Sequence, residues 1–85
     1  MPRSEDENAQ LLAFGRSVGR IRRQRSMSVD ALATASGIAG ERVGALERGA
    51  LDPTYEEMLA IADGLEVDLA ALLALAEELE AADDP

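Results

Sequence analysis

The sequence predicts an all-α domain of five short helices packed around one small core. Three observations carry this. Apolar residues recur at intervals of three and four over long stretches. Glycine or proline at 37, 49, 53 and 64 punctuates the chain between those stretches. Phe14 and Tyr55 are the only aromatics among 85 residues. A core of Leu, Ile, Val and Ala suits packed helices better than stacked sheets, and a chain of this length makes one domain.

Residues 1–8 (MPRSEDEN) are polar and charged and read as a disordered acidic arm, with Asn8 placed to cap the first helix. The domain itself is expected over 9–82. From Ala9 to Arg25, the residues Leu11, Phe14, Val18 and Ile21 mark one helix face, and Arg16, Arg20 and Arg23 lie off it. Ser28 is the N-cap of a second helix, and Asp30 suits the positive end of its dipole. Leu32, Ala33 and Ser36 share a side, Gly37 ends the helix by taking positive φ, and Ile38 anchors the turn.

A third helix runs from about Ala39 to Arg48 and stops at Gly49. Ala39 has no side-chain acceptor for the exposed amides, and Gly40 and Gly44 each cost about 1 kcal/mol relative to Ala. This helix therefore depends on tertiary packing. Asp52-Pro53 marks a loop, and Thr54 with Glu57 forms a capping box for a fourth helix reaching about Asp63 or Gly64. Asp68 caps a last helix at about 68–82 that carries Leu69, Leu72, Leu73, Ala76 and Leu79. Residues 83–85 are a solvated tail.

The net charge of −9 is unevenly spread. Residues 1–50 hold all eight basic groups, every one an Arg, against six acids; residues 51–85 hold eleven acids and no base. One face can thus meet phosphate while the other stays in water. Without Cys or His the chain lacks disulfides, thiolate metal sites and the commonest general base, so neither a metal nor a cofactor is expected, and an enzyme is not. No apolar run approaches 18 residues and no secretory leader is evident, so the expected setting is the cytoplasm, away from membrane.

Helix, glycine turn, helix and glycine stop from Ser28 to Pro53 (SVDALATASGIAGERVGALERGALDP) form the layout of a helix-turn-helix. From Phe14 to Leu73 the chain resembles the phage-repressor and Cro-like (XRE-type) helix-turn-helix domains. The matching pieces, in order, are FGRSVGRIRRQR, S-x-D-x-L-A-x-x-x-G-I, V-G-A-L-E-R-G, Pro53 and E-x-M-L-A-I-A-D-G-L-E-V-D-L-A-A-L-L. The resemblance implies a compact lambda-repressor-like fold with its motif at about 28–48. It further implies a transcriptional regulator, usually a dimeric repressor, that sets its third helix in the major groove of double-stranded DNA. Amides at Ser28 and the residue after it would meet phosphate. It also implies a partly buried salt bridge between Arg22 and Glu47.

A wheel of the third helix turns Val43 and Leu46 inward with Glu47 beside them, and Glu41, Ala45 and Arg48 outward. Arg42 and Gly44 flank that outward face, and Ala39 and Gly40 lead into it. The candidate DNA-contacting residues are therefore Ser28, Val29, Ala39, Gly40, Glu41, Arg42, Ala45 and Arg48. Several are small, apolar or acidic where the family commonly has polar readers. Two readings compete. In the favoured one DNA is bound, with Arg42 and Arg48 as guanidinium donors, Glu41 accepting from cytosine and Ala45 touching a thymine methyl. In the other the fold is kept as a protein-interaction module, an antitoxin or accessory subunit, with weak or no DNA binding.

The last helix has two uses open to it. Its apolar face can pack on the first helix near Leu11, Leu12 and Phe14, or form a two-fold homodimer contact. Dimerisation is the expectation, with Leu69, Leu72, Leu73, Ala76 and Leu79 as the candidate face.

Overall fold

The computed structural model describes residues 5–82. Its helices are α1 (Glu5–Gln24), α2 (Val29–Ser36), α3 (Gly40–Glu47), α4 (Tyr55–Leu65) and α5 (Leu69–Ala82). No strand occurs among the described residues. α1 lies along α5, α2 packs on α4, and α3 is wedged against α1 and α2. Phe14, Val18, Leu32, Val43, Leu46, Ile61, Leu65 and Leu72 meet in one core drawn from all five helices.

Helix α1 begins four residues before the expected start. Glu5, Asp6 and Glu7 fill its first turn, where carboxylates favour the exposed amides and the positive dipole end. Residues 5–8 are therefore helix and not arm, and Asn8 lies within the helix instead of capping it. The remainder of the expected arm, 1–4, and the tail, 83–85, lie outside the described residues.

The turn between α2 and α3 closes on Gly37 in the left-handed region (φ 75°), its N–H donating to the Ala33 carbonyl at 2.9 Å. Thr54 and Glu57 form a complete capping box at the start of α4. That helix passes through Gly64 and ends at Leu65, with Glu66 taking the left-handed position (φ 61°). Gly64 serves packing instead: a Cβ there would stand 3.0 Å from Leu32 Cδ1 and 3.4 Å from Ala35 Cβ. The α2–α4 contact needs its bare backbone.

On α5, Leu72 is fully enclosed and Ala76 is buried. These two candidates for a dimer face point into the subunit, because α1 covers that side of α5. Leu73 stands 39% exposed, and Leu69 and Leu79 are half-buried.

Candidate nucleic-acid interface

The motif is braced from α1. Arg22 Nε donates to Glu47 Oε2 at 2.7 Å, and Nη2 donates to Oε1 at 3.0 Å. Arg22 Nη1 also donates to the Met27 carbonyl at 2.9 Å. One guanidinium thus joins α1, the lead-in to α2 and the last residue of α3. The Glu47 carboxylate holds the Arg22 pKa above its ordinary value, mainly through the hydrogen bond and against the cost of burial. The fork geometry suits the five fixed N–H donors of arginine.

At the start of α2, Ser28 Oγ accepts the Ala31 N–H at 2.9 Å. Ser28 is exposed, while Val29 is half-buried and packs toward the core, so its side chain is partly spent on folding. At the start of α3, Ala39 makes no side-chain cap. Asp30 compensates from α2. A Cβ at Gly40 would lie 3.4 Å from Asp30 Oδ1, which places that carboxylate beside the positive end of α3. Bringing in this charge from α2 makes α3 a helix by packing, in keeping with its weak propensity.

Val43 and Leu46 are buried against the core. On the other side Ala39, Glu41 and Arg48 are exposed, and Gly40, Gly44 and Ala45 are half-buried. Arg48 lies back over its own helix, with Nη1 3.3 Å from where a Cβ on Gly44 would sit. The outward surface is therefore low and smooth, with one acid and one base.

Arg42 is placed differently from the other candidates. It turns toward α4, where Nε donates to Glu57 Oε2 and Nη2 donates to Glu57 Oε1 at 2.9 Å. Oε1 also accepts the Thr54 N–H at 2.9 Å. The arginine expected as a groove contact is engaged inside the subunit, with part of its side chain still in solvent. Glu57 is the partner of Arg42 that the sequence does not announce, because its capping role accounts for it. Complementary charge is the one hint of the pair in the sequence, and no spacing rule joins a flanking base on α3 to the first turn of α4.

A helix-turn-helix family profile, HTH_3, matches residues 18–72. This chain belongs to the helix-turn-helix family. Among solved structures, the restriction-modification controller protein C.AhdI from Aeromonas hydrophila is similar, with 30% identity and a TM-score of 0.74, over 75% of this chain and 97% of that one. An HTH_3 family transcriptional regulator from Vibrio cholerae is 29% identical, with a TM-score of 0.78, over 86% of this chain and 41% of its own. The clp gene regulator ClgR from Corynebacterium glutamicum shares the fold at a TM-score of 0.83 and 23% identity, over 86% of this chain and 78% of that one. No curated protein sequence matches. Within the helix-turn-helix family, α2 and α3 here are the two helices of the motif, and the Arg22–Glu47 fork locks the second to the scaffold. No helix of the described residues is long and apolar enough to cross a membrane.

Proposed function

We propose that this helix-turn-helix chain is a sequence-specific DNA-binding transcriptional regulator that acts in the cytoplasm as a homodimer. The observation that carries the reading is α3 itself. It is a short rigid helix, fixed from behind by Val43, Leu46 and the Arg22–Glu47 fork, with Glu41, Ala45 and Arg48 turned outward. In the major groove Arg48 donates to a guanine edge, Glu41 accepts from a cytosine amino group and Ala45 meets a thymine methyl. Gly44 permits close approach on that face, whereas the open side of Gly40 is turned to Asp30 and Ala33 of α2. The amides beginning α2, at Val29 and Asp30, face phosphate beside the Ser28 cap. The controller and regulator roles named for its similar structures support this assignment.

A second reading rests on a separate observation. The outward face of α3 carries little positive charge, and a groove of about 390 Å³ opens among α1, α4 and α5. Phe14, Met58 and Leu73 line it together with the carboxylates of Asp52, Glu77 and Glu80. A protein-interaction module would use such surfaces.

Selection from a genomic DNA library at 50 mM salt, repeated with Arg48→Ala, separates the two. The DNA reading expects a recurrent sequence whose binding falls steeply as salt rises, by about 0.9 in log–log slope per phosphate contact. Loss of Arg48 should weaken it through one base contact, by about 1–3 kcal/mol. No enrichment of any sequence at low salt would overturn that reading in favour of the protein partner.

A further inference from the structure

Arg42 and Glu57 form a charge-neutral pair at the edge of the surface assigned to DNA, and the pair is anchored from both ends. Arg42 sits on the flank of α3, one residue after the exposed Glu41. The Glu57 carboxylate receives two guanidinium N–H groups and the Thr54 amide, while the Glu57 amide donates to Thr54 Oγ1 at 3.0 Å. Swinging that carboxylate away would lose the Thr54 amide bond of the capping box as well as the ion pair. The guanidinium is therefore held on a fixed post at the α3–α4 junction, while its outer edge still reaches solvent.

The chemistry of DNA binding gives this arrangement a consequence. A free arginine on a flexible stem follows any phosphate and releases counterions regardless of sequence, and such contacts make up non-specific binding. An arginine already neutralised by a carboxylate presents little net charge to a passing backbone. An approaching phosphate also meets the Glu57 carboxylate. Sequence discrimination then falls to the outward face of α3, where a contact forms only with the right base edge.

We infer that Glu57 is a positioning residue of this DNA-binding surface, limiting the sequence-independent part of its affinity by holding Arg42 back from phosphate contact. The inference rests on the proposed DNA-binding function and goes beyond it by assigning a role to a residue outside the helix-turn-helix.

The test uses the full chain and its Glu57→Gln, Arg42→Ala and double variants. Fluorescence anisotropy follows binding to a preferred duplex from library selection and to a scrambled duplex of the same composition, between 50 and 200 mM salt. Glutamine still accepts the Thr54 N–H, so Glu57→Gln keeps the α4 cap, and circular dichroism checks that it folds. In this variant the scrambled duplex should bind several-fold tighter, with a log–log salt slope steeper by about 0.9. The preferred duplex should gain by a similar factor, since a phosphate contact carries no sequence information. In the Arg42→Ala background, Glu57→Gln should no longer change the slope. An equal gain in that background would mean that Glu57 acts by its own charge, and would overturn the inference. So would a folded Glu57→Gln protein that binds both duplexes as the parent does. If neither the parent nor any variant binds either duplex at 50 mM salt, the DNA-binding reading itself falls, and this inference with it.

Discussion

Arg22 on α1 grips Glu47 at the end of α3 through two parallel hydrogen bonds of 2.7 and 3.0 Å, with each side chain only 13% exposed. The contact fixes the orientation of the helix assigned to DNA, since α3 has eight residues and a weak cap of its own. It also reaches past α3 to the Met27 carbonyl, so both helices of the motif hang from one guanidinium.

Truncating Glu47 to Ala leaves Arg22 charged and largely enclosed. Breaking one partner of such a pair costs about 3–5 kcal/mol, a large share of the roughly 5–15 kcal/mol that stabilises a small domain. Thermal unfolding of Glu47→Ala should show Tm lowered by more than about 10 °C. A Tm within a degree or so of the parent would show that the fork does not brace the fold.

Backbone approach between α1 and α3 gives a second prediction. A Cβ on Gly15 would stand 2.4 Å from the Glu47 carbonyl oxygen and 2.5 Å from that of Leu46. Neither atom is the end of a flexible side chain, so α1 and α3 must part. Gly15→Ala should destabilise by about 1–3 kcal/mol in urea unfolding, the usual range for overpacking. Gly44→Ala is the opposite case. Its Cβ would meet only the mobile Arg48 Nη1 at 3.3 Å, so the helix-propensity gain of up to about 1 kcal/mol should raise stability. Equal effects at both positions would contradict the packing described.

The order of helices was legible in the sequence because its punctuation is local. Gly37, the Thr54–Glu57 box and the 3–4 spacing of Leu11, Phe14 and Val18 each act within a turn or two. The start of α1 was not, since Glu5–Glu7 resemble a solvated leader in composition, and only their favourable place at a helix start makes them structure. At Gly64 the sequence sets the end of α4 one residue short of Leu65 and leaves the packing role unseen, for a related reason. A glycine near a helix end suggests a stop, and its use as a contact point for Leu32 depends on how α2 crosses α4. In the candidate site, the wheel placed Val43 and Leu46 inside and Glu41 and Arg48 outside, as the helix lies. It also left Arg42 on the flank, but no local rule says that the flank meets Glu57, fifteen residues away. On α5, the neighbours Leu72 and Leu73 look alike in sequence, and only the position of α1 decides which of them is covered.

The Glu57 carboxyl gives a prediction in pH. Hydrogen bonds from Arg42 and the Thr54 backbone lower its pKa from 4.5 to about 2 in the folded chain. A depressed folded value means that the stabilisation is complete above the unfolded value, near 4.3, and is lost as pH falls toward the folded one. Urea unfolding of the parent should therefore lose stability between about pH 4.5 and 2 more steeply than that of Glu57→Gln, which cannot titrate there. Between pH 6 and 8 the two should run parallel. Superimposable acid limbs would mean that the carboxylate is not held as described.

Leu72 and Leu73 separate folding from assembly. Leu72 is 0% exposed and meets the core shared with Phe14 and Val18, whereas Leu73 is 39% exposed on the adjoining face of α5. Leu72→Ala opens a cavity where nothing can collapse cheaply, and should cost about 2–5 kcal/mol of stability. Leu73→Glu alters a partly exposed position on the rim of the groove with Phe14 and Met58, and should cost the folded monomer less than Leu72→Ala does. If the homodimer uses the exposed side of α5 around Leu73, a carboxylate there has to be desolvated without a partner. That burial is costly enough to dissociate the pair. Sedimentation at micromolar concentration should find the parent as dimer and Leu73→Glu as folded monomer. A variant that remains dimeric would place the two-fold contact on another face, and a monomeric parent would remove the homodimer from the proposed function.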